Sequence, residues 1–220
     1  MTEEYTDQIF RGDCLEILKH LPAGSADLIL TDPPYGMNYR PRTFGPILFD
    51  TTTEWFGGFI GEAYRVLKPD RHIYIFTNDY SIGSFRVQMA SAGFTLKRTL
   101  VWVKDQHTRG DLQGDYANRT EFILFAHKGR RTLTGKRESN VLLFPRVVKR
   151  CHPTEKPHAL MRFLIEKSTL PGELVLDPKQ ARKGPQDGGD ASRFLSPLDL
   201  RQTSVAREFP LVLEIDSTGP

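Results

Sequence analysis

The sequence is poor in cysteine and has no long apolar run. Its 220 residues contain two cysteines, Cys14 and Cys151, which lie far apart and lack the close spacing of a metal knuckle. We therefore expect two reduced thiols and no metal site. No stretch approaches the roughly 20 apolar residues that span a bilayer, and the first residues lack the pattern of a signal peptide. The composition thus predicts a cytoplasmic protein without a disulfide framework.

The chain also lacks a strong charge of either sign. It carries 30 Lys and Arg against 27 Asp and Glu, which gives a formal net charge of +3. Such a mild balance is compatible with a nucleic-acid partner but does not require one. Since 39% of the residues are hydrophobic, one globular domain is the ordinary expectation, and the distribution of the basic residues matters more than their number.

Helix-like and strand-like patterns alternate along the first 178 residues. Helices are predicted at 15–21, 53–67, 84–92 and 157–168, and strands at 26–31, 72–77, 96–103, 122–126 and 173–176. Apolar strands that alternate with helices predict an α/β fold with a doubly wound, mostly parallel sheet. Ligands of such sheets bind beyond the carboxyl ends of the strands.

The first of these strands ends in the tetrapeptide Asp32-Pro33-Pro34-Tyr35. Asp32 offers an acceptor carboxylate, Pro33 a carbonyl and Tyr35 an aromatic ring. Two acceptors suit the two hydrogens of an exocyclic amino group, whose delocalised lone pair makes it a poor nucleophile. Tyr35 would then stack on a base flipped out of the duplex. For an isolated tetrapeptide, the alternative is a tight turn with a capping Asp.

Three segments of the chain resemble a known family when taken in order. They are GDCLEILKHLPAGSADLILTDPPYGMNY, NRTEFILFAHKG and HPTEKPHALMRFLIEKSTLPGELVLDP. They resemble the beta-class amino DNA methyltransferases, enzymes of DNA methylation and restriction-modification in which the catalytic block precedes the cofactor block. The resemblance implies a Rossmann-like methyltransferase sheet, S-adenosylmethionine as cofactor and double-stranded DNA with a flipped base as partner. It implies adenine N6 as the target, because DPPY rather than SPPY fills the catalytic block, and it leaves a homodimer open.

The resemblance also implies roles for residues outside the tetrapeptide. It places Asp13 near the adenine part of the cofactor, and His152, Thr154 and Lys156 near its methionine end. Asp177 would begin the glycine-rich cofactor loop. The alternative for Asp13 is the N-cap of the following helix, and the alternative for the second group is a capped helix start with proline at its first position.

The resemblance stops after Pro178. The family continues with Asp-Pro-Phe and a loop such as Gly-Ser-Gly-Thr, whereas residues 179–183 of this chain are KQARK. We therefore expect a methyltransferase domain over residues 1–178 and an atypical tail over 179–220 that is disordered or frameshifted. The sheet is expected to be incomplete on its cofactor side, although FPLVLEI near the end of the tail is strand-like.

Basic residues are concentrated in the interval 128–150, where Glu138 is the only acid. They include Arg130, Arg131, Lys136, Arg137, Arg146 and Lys149. In the family this interval carries target recognition, so the resemblance implies contacts with DNA phosphates. A solvated charged face is the alternative. The leading hypothesis is an adenine-N6 DNA methyltransferase; a cytosine-N4 enzyme, an inactive DNA-binding remnant and an RNA or protein methyltransferase are its rivals.

Overall fold

A computed structural model describes residues 9–11, 13–37, 52–107, 112–147, 155–179 and 211–216. These residues form nine strands and four helices. In chain order they are β1 (Ile9–Arg11), α1 (Cys14–His20), β2 (Ala26–Thr31), α2 (Phe56–Val66), β3 (Leu67–Thr77), α3 (Ile82–Ser91), β4 (Thr95–Leu96), β5 (Leu100–Val103), β6 (Thr120–Lys128), β7 (Val141–Leu143), α4 (His158–Ser168), β8 (Val175–Lys179) and β9 (Leu211–Asp216).

All nine strands belong to one sheet with the order β1-β9-β8-β2-β3-β6-β5-β7, and β4 pairs with β6 outside this path. The first five strands of that order pair in parallel. Strand β6 runs antiparallel to β3 and to β5, while β7 is parallel to β5. The prediction of a mostly parallel α/β sheet is confirmed.

Helices cover both faces of this sheet. Ile29, Ile73 and Ile75 pack with helices α1, α2 and α3 on one face, whereas Leu28 and Leu30 pack with α4 on the other. Neighbouring residues of a strand point to opposite faces, so a strand that is apolar at every position is buried on both. The apolar run of β2 therefore predicts the doubly wound arrangement that the structure has.

The described part of the tail beyond β8 is strand β9, which falls on the strand-like segment FPLVLEI. Strand β9 inserts between β1 and β8 and is parallel to both, so the described sheet continues on the side where it was expected to be incomplete. The physical reason is that the apolar segment Leu211–Asp216 has a high strand propensity. Its backbone pairs with β1 on one side and with β8 on the other. The predicted disorder or frameshift falls mainly on residues 180–210, which lie outside the described residues.

Two further features concern the described residues as a whole. None of their helices has the length and apolar character that a membrane span requires. Within the same ranges no group of three or more His, Cys, Asp or Glu side chains is arranged to hold a metal ion.

Candidate active site

The DPPY tetrapeptide lies where β2 reaches the carboxyl edge of the sheet. Thr31, the last residue of β2, is fully buried, and its hydroxyl donates a hydrogen bond of 2.7 Å to the carbonyl of Pro178 on β8. Pro33 and Pro34 are buried, and the side chain of Asp32 is 8% exposed. The ends of β8 and β2 therefore meet beside Asp32, at the edge where this class of sheet binds ligands.

Both oxygens of the Asp32 carboxylate have partners within the protein. The ammonium of Lys156 lies 3.1 Å from Oδ2, and the hydroxyl of Tyr35 donates to Oδ1. A carboxylate oxygen has a second lone pair, so these contacts leave Asp32 able to accept an N–H from an incoming amino group. The hydroxyl contact holds the Tyr35 ring beside Asp32, and stacking of that ring on a base stays a prediction.

Lys156 belongs to a buried row of alternating charges. Its ammonium lies 2.8 Å from Glu121, which in turn lies 2.7 Å from Lys104, and it also stands 4.9 Å from the centre of the Phe76 ring. Burial alone would lower the pKa of Lys156, but the carboxylates of Asp32 and Glu121 outweigh it and raise that pKa. Burial alone would raise the pKa of Glu121, but Lys156 and Lys104 outweigh it and lower that pKa. Lys156 and Glu121 are therefore both charged at neutral pH.

Sequence reasoning missed Glu121 and gave Lys156 a different environment. The resemblance places Lys156 near the methionine end of the cofactor, whereas in the structure its ammonium faces two carboxylates of the protein. The signal for Glu121 was a single acid at the start of the apolar run EFILFA, where a charge needs a partner. Its partner is 35 residues away in sequence.

Two predicted cofactor residues lie on the β8 and β1 side of Asp32, away from Glu121. Asp13 follows β1, and its carboxylate accepts hydrogen bonds from the backbone amides of Leu15 and Glu16 at 2.8 and 3.3 Å. The alternative role of Asp13 as the N-cap of α1 is thus confirmed. Asp177 is buried on β8. The other two predicted cofactor residues, His152 and Thr154, lie outside the described residues.

Comparison with known proteins identifies the family. Residues 26–178 match the model of the N6 and N4 methyltransferases, which is described as DNA methylase. The chain belongs to this family. It is 36% identical over 171 residues to YubD of Escherichia coli (strain K12), which is named as a methylase, with 78% of this chain and 74% of the relative covered. It is also 30% identical over 210 residues to the DNA adenine methyltransferase YhdJ of the same organism, with coverages of 77% and 70%.

A solved structure gives the same result for the fold. The complex of M1.HpyAVI with SAM superposes with a TM-score of 0.66 and 25% sequence identity, over 96% of this chain and 94% of that one. The protein is therefore a DNA methyltransferase of the amino class, whose methyl donor is S-adenosylmethionine.

The basic residues predicted to bind DNA are divided between the two edges of the methyltransferase sheet. Arg130 and Arg131 follow β6 at the edge opposite to DPPY, and the two terminal guanidinium nitrogens of Arg131, Nη1 and Nη2, donate to Glu173 at 3.0 and 2.7 Å. Lys136 and Arg137 are near the end of α4 at that same edge, because Lys167 donates to the Lys136 carbonyl.

Among the described basic residues that were predicted to bind DNA, Arg146 lies on the DPPY side of the sheet. It follows β7, and its backbone amide donates to Asp105 at 2.9 Å. Lys149 lies outside the described residues. The described basic residues of the interval 128–150 therefore do not form one continuous surface, because the chain crosses the sheet between residues 131 and 146.

Two exposed aromatic side chains stand on the DPPY edge. Tyr80 follows β3 and is 76% exposed, and Tyr116 lies in the connection from β5 to β6 and is 98% exposed. The side-chain carbonyl oxygen of Asn78 accepts hydrogen bonds from the backbone amides of Tyr80 and Ser81 at 3.1 and 2.9 Å, which fixes the backbone that carries Tyr80. Sequence reasoning did not select either tyrosine.

Proposed function

We propose that this methyltransferase transfers the methyl group of S-adenosylmethionine to the N6 amino group of adenine in DNA. The observation that carries the proposal is the placement of Asp32, in the sequence DPPY, at the carboxyl edge of the sheet with its carboxylate held by Lys156. The relative YhdJ, which is named as a DNA adenine methyltransferase, supports adenine as the target.

The proposed role of Asp32 is to hold and activate an amino group. Its carboxylate and the Pro33 carbonyl accept the two amino hydrogens, which favours the pyramidal nitrogen that attacks a methyl carbon. Lys156 and Glu121 stay ionised beside Asp32, and the Asp32 carboxylate faces the nitrogen on which positive charge develops. When bound, S-adenosylmethionine supplies the electrophilic methyl group.

The acidic residues on this side of the sheet fit the polar part of this cofactor. Asp13 follows β1 and Asp177 lies within β8, and carboxylates there suit the hydroxyl and amino groups of an adenosine. We expect His152 and Thr154 to complete the contacts. Lys156 is not needed as a cofactor ligand, because Asp32 and Glu121 already neutralise it.

We infer that double-stranded DNA approaches the DPPY edge with its target base flipped out. Arg146 is the basic residue best placed to meet a phosphate there, and Tyr80 and Tyr116 offer exposed rings for stacking. Arg131 is already neutralised by Glu173, so it is a weaker candidate for DNA contact. A cytoplasmic location and a homodimer remain predictions from the sequence.

A second candidate function is an inactive DNA-binding remnant. It is favoured by the residues KQARK at 179–183, which contain none of the glycines that let a backbone approach the cofactor. A third candidate keeps the chemistry but acts on cytosine N4, since DPPY favours adenine without excluding the other amine.

The deciding experiment is calorimetric titration of S-adenosylmethionine into the purified chain, followed by incubation with DNA and identification of the methylated nucleoside after digestion. We expect saturable binding in the micromolar range, about −8 kcal/mol, and N6-methyladenine in the digest. N4-methylcytosine would identify the third candidate. A folded chain without detectable cofactor binding would overturn the enzyme proposal and leave the remnant.

A further inference from the structure

We propose that Lys156 and Glu121 are positioning residues that hold the Asp32 carboxylate for the incoming amino group, and that Lys156 is not a ligand of the cofactor carboxylate. The proposal rests on the proposed function, because it concerns the same reaction. It follows from the contacts of the Lys156 ammonium. These contacts are made to side chains of the protein, and one of them is Asp32, the proposed acceptor of the amino group.

The ammonium of Lys156 is enclosed. Its side chain is 4% exposed, and Asp32, Glu121 and the face of the Phe76 ring surround the charge at 3.1, 2.8 and 4.9 Å. An ammonium has three donors, and a buried charge is stable only when it is paired. A cofactor carboxylate could reach Lys156 only by displacing one of these partners.

The formal charges of the cluster also balance without a ligand. Asp32 and Glu121 contribute two negative charges, and Lys156 and Lys104 contribute two positive charges. A further carboxylate would leave one buried negative charge in excess, which is costly in a low-dielectric site. The charge balance therefore argues against cofactor binding at Lys156 and for a closed set of ion pairs.

The geometry gives Glu121 a defined effect on Asp32. Glu121 lies opposite Trp102 in the β5–β6 pairing, and it accepts a hydrogen bond from the same ammonium that lies beside Asp32. The ammonium occupies Oδ2 of Asp32, while Tyr35 occupies one lone pair of Oδ1. Asp32 therefore has one orientation and a restricted set of free lone pairs, which is the preorganisation that an acceptor of amino hydrogens needs.

A set of four variants separates positioning from cofactor binding. Lys156→Met and Glu121→Gln remove the pairing, and Lys156→Arg keeps the charge. Glu138→Gln is the matched control, because Glu138 pairs with Lys167 at 3.7 Å near the end of α4, at the opposite edge. Each variant is checked for folding by circular dichroism, then titrated with S-adenosylmethionine and assayed for single-turnover methyl transfer at saturating cofactor.

We expect Lys156→Met and Glu121→Gln to slow single-turnover methyl transfer by at least about tenfold. Their cofactor dissociation constants should stay within about threefold of the wild type. Lys156→Arg should retain more transfer than Lys156→Met, and Glu138→Gln should behave as wild type. A rise of more than about tenfold in the cofactor dissociation constant of Lys156→Met, with transfer restored at saturation, would make Lys156 a cofactor ligand and overturn the proposal. Wild-type transfer by Glu121→Gln would do the same.

A second measurement reads the contact without any activity. Asp32→Asn and Lys156→Met are combined, and the melting temperatures of the singles and the double variant are compared. Because each single variant leaves unbalanced charge in the cluster, we expect the double variant to lose less than the sum of the two single losses. Additive losses would overturn the positioning contact. If the wild type transfers no methyl group while the losses are not additive, the proposed function fails and the positioning contact stands.

Discussion

The hydroxyl of Thr31 donates a hydrogen bond of 2.7 Å to the carbonyl oxygen of Pro178, 147 residues later in the chain. Thr31 ends β2, the strand that leads into the DPPY tetrapeptide, and Pro178 lies on β8. The bond therefore fixes the ends of these two strands against each other, beside Asp32.

Substitution of Thr31 by valine should cost stability. The change keeps the volume but leaves the buried Pro178 carbonyl without its donor, so we expect the free energy of unfolding to fall by about 1–3 kcal/mol. Urea denaturation measures this change. Thr95→Val is the control, because Thr95 is exposed on β4 and should shift the unfolding free energy by less than about 0.5 kcal/mol. Equal effects of the two variants would contradict the role of the bond.

Much of the sheet could be predicted because apolar residues occupy consecutive positions in its central strands. The run ADLILT forms β2 and the later run EFILFA lies in β6. Their side chains point to both faces of the sheet, and the predicted helices cover those faces. The position of Asp32 followed from the same logic, since a strand that ends in two prolines must stop at the sheet edge. Local pattern was enough for these features.

Other features depend on contacts between distant residues. The pairing of Lys156 with Glu121 and Asp32 joins three separate segments, and no local pattern reports which carboxylate a lysine meets. The basic residues of the interval 128–150 are close in sequence, but the sequence does not show on which edge of the sheet each of them lies. The crossing of the sheet between Arg131 and Arg146 separates them in space.

Substitution of Asp32 by alanine should abolish methyl transfer while the fold is retained. The acceptor of an amino hydrogen is lost, and we expect the rate to fall by at least about 100-fold. Transfer of a labelled methyl group to DNA measures the rate, and circular dichroism checks the fold. Asp79→Ala is the control, since Asp79 is an exposed aspartate after β3 on the same edge. A variant with the wild-type transfer rate would refute Asp32 as the amine acceptor.

Arginines on opposite edges of the sheet should differ in their contribution to DNA binding. Arg146→Ala should reduce the slope of log affinity against log salt concentration by about 0.9, the effect of one lost phosphate contact. Arg130→Ala, the same substitution beyond the opposite edge, should leave the slope unchanged. Fluorescence anisotropy with a labelled duplex at several salt concentrations measures both slopes. A larger effect of Arg130 would place the DNA on the other edge.

His72 is held neutral by its burial, and its two ring nitrogens take part in a row of buried hydrogen bonds. Its Nε2 lies 3.1 Å from the Arg131 carbonyl, which can only accept, so Nε2 carries the proton and donates. Its Nδ1 then accepts from the hydroxyl of Ser168 at 2.8 Å, and Ser168 accepts from Tyr74 at 2.7 Å. Burial, with a smaller effect of the nearby His127, lowers the pKa of His72 to about 4.

This arrangement predicts a loss of stability in acid. The unfolded chain binds a proton at His72 near pH 6.5, whereas the folded protein does so only near pH 4, so the unfolding free energy falls as the pH decreases from 6.5 to 4. The full loss from this group is of the order of 3 kcal/mol. Urea denaturation at several pH values should show a flatter profile for His72→Gln, after its constant loss of hydrogen bonds is subtracted. His20→Gln, at an exposed histidine of α1, should keep the slope of the wild type. An unchanged slope in His72→Gln would mean that other groups cause the acid sensitivity.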